Sequence, residues 1–193
     1  MNEKIAKMQR TLKQYLDQDR YNHTMGVMYT AGCMAMKYGA DLDSALIAGL
    51  LHDCAKCIPN EEKIQLCNKH NIPISDTERI NPGLLHSKLG AWIAEHKYGV
   101  HDEDILHAIE YHTTGCPAMS LLDKIIYIAD YIEPGRRHLK NHDIVRKMAF
   151  EDIDICLHRI LKDSLAYIEF KKWAVDPMTE QAFQYYEEKL NSK

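Results

Sequence analysis

The apolar segment through Leu46, Leu50 and Leu51 ends in two residues of metal-ligating type, His52-Asp53. Neighbours on a helix point about 100° apart, so this pair shares one ion only over a helix end or between packed helices. Further ligands must then come from elsewhere. His23, on a preceding segment, and Asp130, at the end of a later one, are the candidates. Asp130 follows the apolar turn Ile125-Ile126-Tyr127-Ile128-Ala129, where an unpaired carboxylate carries a large desolvation cost that a cation removes. Two imidazoles and two carboxylates suit Fe, Mn or Zn and leave positions for water or substrate. Such an ion lowers the pKa of bound water, to about 7 in favourable cases, and polarises a phosphoryl oxygen, as hydrolysis of a phosphate ester or anhydride requires.

The elements that must position these side chains read as helices. Apolar residues recur at spacings of three and four almost throughout, which predicts an all-α bundle. A first helix is expected from Glu3 to Asp19, with Ile5, Met8, Leu12 and Leu16 on one stripe. A second is expected over about Arg20 to Tyr38, ending at Gly39, and a short third begins at Asp43. Residues 58–81, with Pro59 and Pro73 and one polar helix at about 61–70, read as an elaborated connection of the kind that often carries substrate contacts. Further helices are expected at about Gly83 to Lys97, Asp102 to His112, Ser120 (as N-cap) to Asp130, Ile144 to Phe170 and Thr179 to Leu190, with Pro134-Gly135 and Asp176-Pro177 as breaks. No repeat or Gly/Ser-rich linker divides the chain. One domain over 1–193 is expected, with the metal site in 20–136 and packing helices in 1–19 and 140–193.

Composition narrows the function. The 193 residues suit one core. A net charge of −4 argues against tracking a nucleic-acid backbone, which requires a basic face. The sequence lacks an apolar run long enough for a membrane span, and Met1-Asn2-Glu3-Lys4 does not open a signal peptide, so a cytoplasmic protein is expected. Six cysteines at irregular spacing read as reduced thiols. Eleven histidines beside only three Phe and two Trp are enough to build a metal site.

Arg20-x-x-His23, His52-Asp53-x-x-Lys56, His86, His112 and Asp130 together resemble the HD-domain metal-dependent phosphohydrolases. The runs Tyr111-His112-Thr113-Thr114-Gly115 and Ala129-Asp130-Tyr131-Ile132-Glu133-Pro134-Gly135-Arg136 look more narrowly like the branch of symmetrical bis(5'-nucleosyl)-tetraphosphatases. The resemblance spans nearly the whole chain. It implies hydrolysis of diadenosine tetraphosphate to two ADP, by attack of a metal-bound hydroxide on an inner phosphate. It also implies an iron-type ion, with Mn or Zn as alternatives, held by His23, His52, Asp53 and Asp130. His86 and His112 would face the same pocket, as phosphate contacts or as ligands of a second ion. Asp53, Lys56, His86 and His112 are the implied catalytic set. Arg20, His23, Asp53, His86, His112, Ala129, Asp130 and Arg136 are the implied substrate contacts, with Arg20, Lys56 and Arg136 meeting phosphate or bracing Asp53.

Two stretches depart from the family pattern. Cys54-x-x-Cys57 is not needed by the family, and Val175-Asp176-Pro177-Met178-Thr179 stands where a His-Pro pair is common. The alternatives are another HD phosphohydrolase acting on nucleotides or a guanosine tetraphosphate alarmone, and a non-catalytic module in which Cys54, Cys57 and Cys67 sense oxidation. A homodimer is a candidate assembly. Histidines 70, 96, 101, 107, 138, 142 and 158 are expected in surface or structural roles.

Overall fold

Local capping rules set the helix boundaries. A computed structural model describes residues 3–136 and 141–192, and His138, expected in a surface or structural role, lies outside them. The described helices are α1 (Glu3–Leu12), α2 (Gln18–Tyr38), α3 (Leu42–Leu51), α4 (Asn60–Lys69), α5 (Asp76–Ile80), α6 (His86–Tyr98), α7 (Glu103–Tyr111), α8 (Leu121–Ile132), α9 (His142–Glu151), α10 (Ile153–Phe170) and α11 (Pro177–Asn191). A 3-10 turn over Pro82–Leu85 precedes α6. Among the described residues there is no strand, and no helix is long and apolar enough to cross a membrane.

The single helix expected over Glu3 to Asp19 is in fact interrupted. Asp17 takes an extended conformation and its carboxylate accepts the Arg20 N–H at 2.8 Å, so a new helix starts there although Leu16 continues the apolar stripe. The restart puts Arg20 and His23 three residues apart on one face of α2. Asp41, not Asp43, caps α3, and Ser120 caps α8 in a reciprocal capping box with Asp123. Gly39 ends α2 with φ +73°, a conformation that costs a residue with a Cβ about 1–2 kcal/mol.

α2, α3 and α8 form the centre. Val27, Met28 and Ala31 of α2, Ala48, Leu50 and Leu51 of α3, and Ile125, Ile126, Ile128 and Ala129 of α8 are fully buried in one cluster. α2 and α3 approach until a Cβ placed at Gly49 would lie 2.9 Å from the Met28 Cα, so only glycine permits this separation. α7 lies against α3 and α8, while α10 packs against α8, α9 and α11. Ala55, Cys67, Leu85 and Leu89 form a smaller core beneath α4 and α6.

Asp154 of α10 ties two outer helices to the central α8, accepting from Lys124 of α8 and Lys189 of α11 at 2.8 Å each. Burial favours its neutral form, but the two ammonium groups outweigh this and hold its carboxyl below the ordinary range. A depressed carboxylate stabilises the fold above its unfolded pKa and loses that contribution as pH falls through the folded one. Asp154→Asn is therefore expected to cost about 1–2 kcal/mol at pH 7, or roughly 3–6 °C in Tm for a chain of this size. The gap to the parent should begin to narrow as pH falls below about 4 and close only below the lowered folded value, where both proteins lack the charge; a series of thermal melts from pH 7 downward measures it.

Candidate metal centre

Four histidines reach one point, and a bond at Nδ1 fixes how each ring is turned. His52 Nδ1 donates to the Gly49 carbonyl at 2.7 Å, His86 Nδ1 to Gly83 at 2.6 Å and His112 Nδ1 to Ile109 at 2.7 Å. In each case the carbonyl belongs to the residue three positions earlier, at a helix end or turn where the last carbonyls are free. A carbonyl only accepts, so Nδ1 carries the proton and, in the neutral ring, Nε2 presents a lone pair. His23 follows the same logic with a different acceptor, the Glu133 carboxylate, 3.0 Å from Nδ1.

These lone pairs face carboxylates. His23 Nε2 is 2.9 Å from Asp130 Oδ1 and 3.8 Å from Asp53 Oδ2. His52 Nε2 lies 3.5 Å from Asp53 Oδ2 and 3.7 Å from Asp130 Oδ1. Asp53 Oδ1 is 3.2 Å from His86 Nε2 and 3.6 Å from His112 Nε2. Among the described residues, no hydrogen bond reaches the buried atoms His23 Nε2, His52 Nε2 or Asp53 Oδ1. Acceptors converging in a buried space repel unless a proton or a cation lies between them. His23, His52 and Asp130 offer donors within 4.8 Å of one another, as do His52, Asp53 and His112. The donor set fits a divalent ion of the Fe, Mn or Zn type.

The electrostatics divide the imidazoles. For His52 burial lowers the pKa, but the carboxylates of Asp53 and Asp130 outweigh it and the net direction is upward. His86 has burial and Lys56 against its charged form, and falls to about 4; His112 is lowered mainly by burial. Asp53 and Asp130 are each disfavoured as anions by burial, yet the surrounding His52 and Arg136 respectively hold them well below the usual carboxylate range.

Cations ring the acidic centre. Arg20 Nη1 donates to Asp53 Oδ2 at 2.7 Å, and Arg136 Nη2 to Asp130 Oδ1 at 2.6 Å. Lys56 Nζ stands 3.1 Å from His86 Nε2 and 3.7 Å from Asp53 Oδ1. Thr113 Oγ1 sits 3.1 Å and 3.2 Å from the Nε2 atoms of His86 and His112. On one side lies a cavity of about 310 Å³ lined by Tyr131, Ser164, Tyr167 and Ile168; on the other is an open cleft with Arg20, Asn22 and Gly135. Lys56 and Arg136 line both.

Every residue expected in the site is brought to it except Ala129, a fully buried residue of the core. Glu133, which no spacing in the sequence marks, is buried, orients His23, and accepts the Gly135 N–H at 2.5 Å. A Cβ at Gly26 would collide with this carboxylate, so the glycine one turn after His23 makes room for it. The available signal was an acid at a helix C-terminus, where the dipole disfavours negative charge. Cys54 and Cys57 do not form a unit. Cys54 is buried, donates to the Gly90 carbonyl and has its thiol pushed up to about 12 by burial, whereas exposed Cys57 faces Asp17.

The HD domain family pattern matches residues 20–135, from the first arginine of the site to the turn beyond Glu133. The chain belongs to the HD domain family. A symmetrical bis(5'-nucleosyl)-tetraphosphatase of Bacillus subtilis (strain 168) is 44% identical to this HD domain protein, covering 87% of this chain and 89% of its own. A protein of the same name from Staphylococcus aureus (strain NCTC 8325 / PS 47) is 35% identical, covering 94% of each chain. The crystal structure of a predicted HD superfamily hydrolase involved in NAD metabolism from Clostridium acetobutylicum matches with a TM-score of 0.91 at 41% identity, covering 95% of this chain and 97% of that one. His52 and Asp53 of this chain are both buried, and Asp53 lines the cavity of about 310 Å³.

Proposed function

We propose that this HD domain is a metal-dependent symmetrical bis(5'-nucleosyl)-tetraphosphatase that hydrolyses diadenosine tetraphosphate to two ADP. The observation that carries the reading is the convergence of His23 and His52, turned by fixed Nδ1 bonds, on Asp53 and Asp130 with their facing atoms unsatisfied. These four would hold the ion, iron in the first instance and Mn or Zn as alternatives. When bound, it lowers the pKa of water and draws charge from a phosphoryl oxygen.

The protein groups around it do the rest. Arg136 and Lys56 line both clefts, so a polyphosphate running from one to the other passes them and the two nucleosides lie on opposite sides. That places the cut near the middle of the chain of phosphates. The Arg136 fork suits two phosphate oxygens, and Lys56 offsets charge that builds on the departing nucleoside diphosphate. Arg20 holds Asp53 in register through its 2.7 Å bond. Thr113, between His86 and His112, positions both rings. Because the Lys56 ammonium stands 3.1 Å from His86 Nε2, a second cation there would be repelled, and His86 is assigned to phosphate contact. All six cysteines are free, which supports a reducing cytoplasmic setting.

Incubating the full chain with diadenosine tetraphosphate and Fe(II), Mn(II) or Zn(II), followed by anion-exchange analysis, tests the proposal. ADP alone, with turnover abolished by a chelator and restored by added metal, is expected. AMP together with ATP, or no turnover while a mononucleotide is cleaved, overturns the substrate assignment.

A further inference from the structure

A second group of metal-binding side chains lies apart from this centre. His107 on α7, Cys116 in the connection after it and Asp123 in the first turn of α8 offer donor atoms all within 4.8 Å of one another. His107 Nδ1 is 2.9 Å from Asp123 Oδ1. Asp123 and Cys116 are buried, while the His107 side chain is 47% exposed, which leaves a way in for an ion. The connection is bent to bring the thiol there. Gly115 (φ +68°) and Ala118 (φ +53°) take left-handed conformations on either side of Cys116, and the Gly115 N–H donates to the Tyr111 carbonyl at 2.8 Å.

The charges around the thiol are negative. Burial, then Asp123 and Glu110, push the Cys116 thiol up to about 11, and of these the two carboxylates also attract a cation. The nearby Lys124 ammonium is committed to Asp154 at 2.8 Å. We propose that His107, Cys116 and Asp123 form a thiolate-containing site for a divalent ion of the zinc class, separate from the catalytic centre. One imidazole nitrogen, one thiolate and one carboxylate are a familiar zinc donor mixture, with water in the fourth position.

Binding balances without further reactants. The Cys116 thiol proton goes to solvent, and His107 moves its remaining proton to Nε2 as Nδ1 takes the ion. Asp123 Oδ1 exchanges the His107 N–H for the ion, while Oδ2 keeps the Ser120 N–H at 2.8 Å, so the α8 cap is preserved. The occupied site would tie α7, the connection and α8 together around the segment that carries His112 and Thr113.

Cobalt(II) titration of the full chain tests this, because a thiolate–cobalt charge-transfer band in the near ultraviolet cannot arise from the nitrogen and oxygen donors of the catalytic centre. One equivalent of band is expected, displaced by Zn(II), absent in Cys116→Ser and undiminished in Cys57→Ser and Asp53→Asn. His107→Gln, at the half-exposed ligand, should weaken Zn(II) binding about tenfold or more and gives the same test should Cys116→Ser fail to fold. No thiolate band, a band that survives Cys116→Ser, or full affinity in His107→Gln would overturn the proposal.

Discussion

Asp53→Asn is expected to lower hydrolysis of diadenosine tetraphosphate by about a thousandfold or more, the scale on which one member of a cooperating set acts. Asp53 is the point that the other groups share. Arg20, Lys56, His23, His52, His86 and His112 all lie within 3.8 Å of its two oxygens. The amide keeps the shape and removes the charge, and it turns one acceptor into a donor aimed at imidazole lone pairs or the Arg20 guanidinium. Metal retained after gel filtration should fall with activity, while circular dichroism stays that of the parent. Activity within about tenfold of the parent in a folded Asp53→Asn protein would contradict the assignment of Asp53 to the ion.

Removing Arg136 acts on the substrate side. Its guanidinium donates to Asp130 at 2.6 Å, lies at the junction of the two clefts and is 37% exposed. A charge-assisted forked contact with phosphate is worth about 2–3 kcal/mol, so Arg136→Ala should lower kcat/KM by roughly 30- to 150-fold. Arg136→Lys should recover only part of this, because an ammonium supplies charge without the fork. Steady-state kinetics on both variants, with metal content measured alongside, separates lost phosphate binding from a loosened Asp130. Equal activity of the lysine variant and the parent would show that point charge suffices.

The parts of this structure legible in the sequence were those fixed by neighbours along the chain. Ser120 and Gly39 act through bonds to their own backbone, and both cap where expected. The break after Leu12 was hidden because Leu16 keeps the apolar period while Asp17 caps a new helix, and a cap overrides a stripe at low cost. The ligand types were visible at His52-Asp53 and Asp130, since ionisable groups beside apolar runs need a reason. Their separations were not, because the spacing of α2 from α3 depends on a Cβ that Gly49 lacks. Glu133 stayed unassigned for a related reason. Its partner His23 is 110 residues away, and no local rule links them. The cysteine near Lys56 drew attention by spacing alone, whereas Cys116 mattered only once α7 and α8 placed His107 and Asp123 beside it.

That same 110-residue reach from His23 to Glu133 bears on how long the protein survives in a cell. No fragment that lacks α8 has the full donor set, so the free energy of ion binding is available only to the completed bundle. An ion present at a hundred times its Kd adds about 2.7 kcal/mol against global unfolding. A change of that size shifts the unfolded fraction on which proteases act by roughly a hundredfold. Metal starvation would therefore reduce the amount of this protein as well as the activity of each molecule.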